Sequence, residues 1–226
     1  MLQKILLSAA ATAGAGYMYF GLHKPIKIEE TEFGNKLFVY RPFRGDYWNM
    51  GPALKKMQQD FSGLDASQVT LAGFFYDNPR NMMDRAAGRA VLGGLFDPSQ
   101  RAVAEDFLKK HEEFKILETQ PVKALSTTFP YRGNMSFRLS RWRKLRSRLY
   151  RYGFKNNKFS TGERNLVGLM EIFPFLNGRE REIQVILPYG KNVDQFKDLH
   201  GFEQPPLKNK AQYPGIIGDF NYIFFK

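Results

Sequence analysis

Twice along this chain the hydrophobic period runs strand, helix, strand, strand. That order narrows the fold more than any other feature of the sequence. In the first half, Lys36–Phe43 reads as a strand closed by Pro42. Gly45 and Asp46 make a turn, and Tyr47–Phe61 then reads as a helix. Asn49 can cap it, Pro52 suits its first turn, and Leu54, Met57 and Phe61 recur at helical spacing. Ser67–Tyr76 is a second strand, stopped by Asp77-Asn78-Pro79, and Ala86–Phe96 is a third. A connecting helix follows, capped by Asp97 with Pro98 at its first position.

The second half repeats the order. Lys123–Tyr131 is strand-like and Asn134–Tyr152 is helical. Asn165–Phe173 and Arg181–Tyr189 are strands joined through an Asn177-Gly178 hairpin turn. The expectation is an α+β fold in which two strand-helix-strand-strand units form one antiparallel sheet with helices on one face. The other face would be free for a ligand groove. The organisation reads as a hydrophobic segment (1–24), an extended linker (25–35), the domain (36–189) and an extension (190–226) whose aromatic content predicts packing back onto the domain.

Of the 226 residues, 21 are Phe and 11 are Tyr, so a large core must exist to bury them. Net charge is +12, which favours anionic partners. There is no cysteine, which excludes disulfides, thiol catalysis and Cys-based zinc sites. The three histidines, His23, His111 and His200, are far apart, so neither a His-rich metal site nor any other cofactor site is expected.

From Ile5 to Leu22 the chain is uncharged, close to the roughly 20 residues that a membrane helix needs. Tyr17 and Tyr19 stand where interfacial aromatics belong. A single-pass anchor, a cleaved signal peptide with Ala11-Thr12-Ala13 as its site, a presequence and a buried helix are the readings open to this segment.

Glu171 interrupts the apolar run Asn165–Phe173, on the strand face of Leu169 and Phe173. Burying it costs several kcal/mol unless it is paired or protonated. It is either a ligand-binding or catalytic carboxylate in an aromatic groove, or a Glu paired with a cation such as Arg181. Arg138, Arg141, Arg143, Lys144, Arg146, Arg148 and Arg151 form a basic helix with an apolar stripe. That suits an anionic membrane surface better than nucleic acid, for which no recognition motif is present. Phe196 and Leu199 bracket one aromatic-x-x-aliphatic tetrad in a polar stretch, a candidate for docking an autophagy-modifier protein as an added strand.

Several short stretches occur in order: Tyr40–Tyr47 (YRPFRGDY), Phe74–Pro79 (FFYDNP), Gly88–Val91 (GRAV), Thr127–Tyr131 (TTFPY) and Leu169–Phe173 (LMEIF). Together they resemble the testis-expressed protein 264 family, from about Lys36 to Tyr189, with an N-terminal hydrophobic segment as well. The resemblance implies a gyrase-inhibitor-like, effector-binding domain held on the endoplasmic reticulum membrane by a single pass and facing the cytosol. It also implies a role in selective autophagy of that organelle. Such domains take small, often cationic or aromatic, ligands in a groove between their halves, and some relatives hydrolyse small molecules. The resemblance places Glu171 at the groove glutamate, with Tyr40, Tyr47, Trp48, Tyr76 and Phe173 as groove aromatics. The family continues into a long acidic tail, whereas this sequence ends in a short aromatic one.

Overall fold

The structure, a computed structural model, describes residues 12–65, 67–78, 81–131, 145–159, 168–173 and 182–206. Eight strands form one antiparallel sheet: β1 (Glu29–Phe33), β2 (Leu37–Arg44), β3 (Thr70–Phe75), β4 (Arg89–Phe96), β5 (Lys115–Glu118), β6 (Val122–Pro130), β7 (Leu169–Phe173) and β8 (Glu182–Tyr189). Among the described residues, besides the helix at 12–19, three helices pack on it: α1 (Gly51–Asp60), α2 (Arg101–Lys110) and α3 (Leu145–Lys155). The fold is α+β, with spatial order β1-β6-β8-β7-β3-β4-β2-β5.

That order is palindromic. The unit β2-α1-β3-β4 and the unit β6-α3-β7-β8 meet at the β3–β7 pair, and each carries one extra edge strand. The register at the junction pairs Leu71 with Phe173, Gly73 with Glu171 and Phe75 with Leu169. A two-fold axis through the sheet between Gly73 and Glu171 therefore exchanges Leu71 with Leu169 and Phe75 with Phe173.

All three helices lie on one face. Leu54 and Met57 of α1, Ala104 and Phe107 of α2, and Leu145 and Leu149 of α3 join Leu37, Val39, Leu71, Phe75, Phe173 and Val185 in one core. Phe61 and Phe107 stack within it at 4.4 Å between ring centres. The opposite face has a core of its own, built on Phe38, Tyr40, Phe74, Val91, Met170 and Ile186. The two sets follow from the alternation of side chains along each strand.

Glycines set the close approaches. A Cβ at Gly93 would lie 1.9 Å from the Val39 carbonyl oxygen on the neighbouring β2. The helix starts differ from expectation. Asp46, not Asn49, caps first, accepting from the Trp48 N–H (2.9 Å) over a short 3-10 turn at Tyr47–Asn49. α1 then begins at Gly51 with Pro52 in its first turn. Asp97 and Gln100 form a capping box ahead of α2.

The stretch expected as a linker is part of the sheet. Glu29–Phe33 pairs with Ser126–Val122 as edge strand β1. At the other end, residues 190–206 return to the sheet, and Phe196 is fully buried against Phe74 at 5.0 Å, with the rings parallel within 11°. Residues 12–19 are helical, but among the described residues no helix is long and apolar enough to cross a membrane. Residues 1–11 of the expected anchor, residues 134–144 of the basic helix, the Asn177-Gly178 turn and residues 207–226 of the expected extension lie outside the described residues.

Candidate functional site

Glu171 stands at the centre of the sheet, beside the two-fold axis. Its neighbours across the strands are Gly73 on β3 and Val185 on β8. The same row continues through Leu92 to Arg41 on one side and to Thr127 on the other. Leu169 and Phe173, two residues to either side of it, belong to the helix-side core, so the Glu171 side chain leaves the sheet on the helix face. The helices pack chiefly on the flanking strands: α1 on β4, α2 on β2, α3 on β6 and β8. The central pair β3–β7 is thus the floor between them.

Glu171 is 9% exposed there, and its cross-strand partner has no side chain. A Cβ at Gly73 would meet Leu92 and Phe75 side-chain carbons at 3.0 and 3.1 Å, so those two side chains already lean over the glycine. Phe75, Phe173, Tyr47, Tyr150 and Phe129 contribute aromatic surface to the same core.

The expected groove aromatics divide between the two faces. Phe173 and Tyr47 share Glu171's face. Tyr40 and Tyr76 do not: Tyr40 pairs through Gly93 and Ala72 to Ile172, one residue out of step with Glu171. Tyr40 stacks on Phe38 at 5.3 Å, and the Tyr76 hydroxyl donates to the Phe196 carbonyl at 2.7 Å, both beneath the sheet. Burial raises the pKa of both phenols. Trp48 is half-buried in the turn before α1. The expected groove residues therefore do not share one face. That face is plugged by Phe196, and the acid is on the other side.

Tyr47 belongs to a second polar cluster, where β3 ends at the Asp77-Asn78 turn. Asp77 is buried and holds Arg89 by both oxygens: Oδ1 accepts from Nη2 (2.8 Å), and Oδ2 accepts from Nε (3.0 Å) and from the Arg89 N–H (2.8 Å). The Tyr47 hydroxyl donates to the Arg89 carbonyl. Burial and then the Asp77 charge push the Tyr47 pKa well above the usual phenol range. Arg146, on α3, reaches in from the other half. Its Nη1 donates to the Asp77 carbonyl (2.8 Å), and its Nη2 donates to the Tyr76 carbonyl (3.3 Å) and the Tyr150 hydroxyl (3.4 Å). Burial pulls the Arg146 pKa down, but Tyr150, Tyr47 and Asp77 together hold it above its ordinary value.

Arg146 is thus no anion-facing residue. It latches α3 of one half to the end of β3 in the other. Arg148 and Arg151 are exposed on α3, and Arg138, Arg141, Arg143 and Lys144 lie outside the described residues. Phe196 cannot serve as the anchor of an adaptor motif, because it is fully buried and Leu199 packs in the same core. Presenting it would mean opening that core, at about 3–5 kcal/mol for a buried Phe. The sequence marked Asp77 and Arg89 only as members of the Phe74–Pro79 and Gly88–Val91 stretches and Arg146 only as one cation of a run, with nothing to join the three. Among the described residues no group of His, Asp and Glu is arranged to hold a metal.

No family model and no curated protein matches this chain. Among solved structures it is similar to EcmrR in a complex with DNA determined by cryo-electron microscopy. The TM-score is 0.46 at 9% identity, covering 83% of this chain and 68% of that one. It is similar to the crystal structure of the EcmrR C-terminal domain, with TM-score 0.41, 10% identity, and 74% and 98% coverage. It is also similar to a Listeria innocua hydrolase, with TM-score 0.42, 11% identity, and 76% and 97% coverage.

Proposed function

We propose that the helix face of the β3–β7 pair is a binding site for a small cationic aromatic ligand, with Glu171 as the countercharge. The observation behind this is the position of Glu171: a buried carboxylate at the junction of two related halves, next to a glycine, among aromatic side chains. In so buried a setting a carboxylate attracts a cation more strongly than it would in water. Phe75, Phe173 and Tyr47 supply π-faces that favour a flat cation. This site keeps Glu171, Tyr47 and Phe173 of the expected set and leaves out Tyr40 and Tyr76.

The uncharged run Ile5–Leu22 and the family resemblance support a module held at a membrane, the endoplasmic reticulum with the domain towards the cytosol. Asn134-Met135-Ser136 is an acceptor for glycosylation in the secretory lumen, so a glycan on Asn134 would overturn that orientation.

Thioflavin T, a flat cation whose fluorescence rises when it is immobilised, tests the site. Binding to the full chain in detergent is expected, at least ten times weaker in Glu171→Gln with an unchanged melting temperature. A tenfold loss corresponds to about 1.4 kcal/mol. Equal binding by the variant would remove the role of Glu171.

A further inference from the structure

The N-terminal helix is joined to the domain without slack. Its end is a Schellman cap: Gly21 has φ +65°, its N–H donates to the Met18 carbonyl (3.0 Å), and the Leu22 N–H donates to the Tyr17 carbonyl (3.0 Å). Gly21 is buried against Pro130 at the end of β6, where an added Cβ would lie 2.7 Å from the proline ring. Leu22, Ile26 and Ile28 then pack on the helix-side core, the Thr127 hydroxyl donates to the Lys27 carbonyl (2.6 Å), and β1 begins at Glu29. Every few residues from Gly21 to Glu29 are tied to the domain.

Residues 12–19 present most of their surface to solvent. Seven of the eight are exposed, including Tyr17 (48%), Met18 (58%) and Tyr19 (59%), and none is charged. A helix that docks on a protein has one apolar and one polar side, whereas a helix apolar all round is surrounded on every side. Lys24 and Lys27, both exposed, follow at once. An uncharged helix, an aromatic collar and then cations match the layers of a bilayer with anionic headgroups.

We propose that the bilayer surrounds this helix and that helix and domain form one rigid body. The β6 end of the sheet is then held at anionic headgroups, and the β5 edge points away. This rests on the membrane placement proposed above. Six strand spacings of about 4.8 Å separate β6 from β5, so along the sheet the two lie on the order of 25–30 Å apart.

The chain has no cysteine, so single labels are clean. A donor dye is placed on Glu182→Cys, whose residue pairs with Pro130, or on Ile116→Cys on β5. Energy transfer to headgroup-labelled lipid is read with the full chain in mixed phosphatidylcholine and phosphatidylserine vesicles. Transfer is expected to be high at position 182 and low at position 116. A flexible Gly-Ser insertion between Lys24 and Pro25 is expected to erase the difference. A chain that co-floats with the vesicles but transfers equally from both sites refutes the rigid body alone, as does a difference that survives the insertion. A chain that does not co-float refutes the membrane placement, and this proposal with it.

Discussion

Asp77 is the one carboxylate in its cluster facing two cations, and replacing it with Asn isolates the charge. Asn can still accept from the Arg89 N–H, and it changes the side-chain volume little. What disappears is the negative charge between Arg89, bound at 2.8 and 3.0 Å, and Arg146, whose pKa Asp77 helps to raise. The ion-pair side chains are 5% and 13% exposed, so water cannot take over the role of the carboxylate. Breaking a buried pair from one side costs about 3–5 kcal/mol. Here the value should fall at the upper end, because two cations are left facing each other. Arg89→Met should cost less, about 2 kcal/mol, since the Asp77 charge keeps its attraction to Arg146. For a chain of this length each kcal/mol lowers the melting temperature by about 2–4 °C. Thermal unfolding followed by circular dichroism should therefore show a drop of about 8–20 °C for Asp77→Asn and about half that for Arg89→Met. A cost under about 1 kcal/mol for Asp77→Asn, or an Arg89→Met cost equal to it or greater, would refute the charge argument.

Three further outcomes follow from the same geometry. Phe196→Ala should destabilise the chain by about 3–5 kcal/mol, read in urea, and should loosen hydrogen exchange around Phe74 and Tyr76; a change within about 0.5 kcal/mol would mean the 190–206 segment does not plug the sheet. Arg146→Gln should cost several times what Arg148→Gln costs, the latter staying within about 0.5 kcal/mol as an exposed substitution, and equal effects would contradict the latch. His200 is buried, accepts from the Phe202 N–H at Nδ1 (2.8 Å), and has its pKa lowered by burial and then by Arg89, against the pull of Asp198 and Asp77. The unfolded chain then binds the proton more readily, so this contribution is complete above about pH 6.5 and is lost as pH falls below it. The melting temperature should drop between about pH 7.5 and 5.5, and less so in His200→Gln.

The two repeated units were legible because each strand or helix was long and periodic enough to announce itself. β1 was not. Glu29-Glu30-Thr31-Glu32-Phe33 shows no apolar alternation, because an outermost strand has one neighbour and a solvated flank. Its place in the sheet comes from backbone pairing with β6, which leaves little trace in side-chain chemistry. The basic helix shows the opposite failure. Arg146 looks like one cation in a run of cations, yet the carbonyls it serves belong to Tyr76 and Asp77, about seventy residues earlier in the chain. Periodicity locates an apolar stripe, but it does not say which charged neighbour of that stripe turns inward.

The division of the groove residues has a sharper cause. Parity along one strand is readable from sequence, which is why Glu171 was correctly grouped with Leu169 and Phe173. Parity between strands depends on register, and a shift of one residue exchanges the faces. Tyr40 and Glu171 are related only through three successive pairings, none of which is written in either segment. The same register explains why a single acid is stable at the centre. The two-fold axis makes Gly73 and Glu171 equivalent positions that face each other across adjacent strands. Two glutamates there would repel directly. The symmetry is therefore broken at its own axis, with a carboxylate from one half and an empty Cβ position from the other.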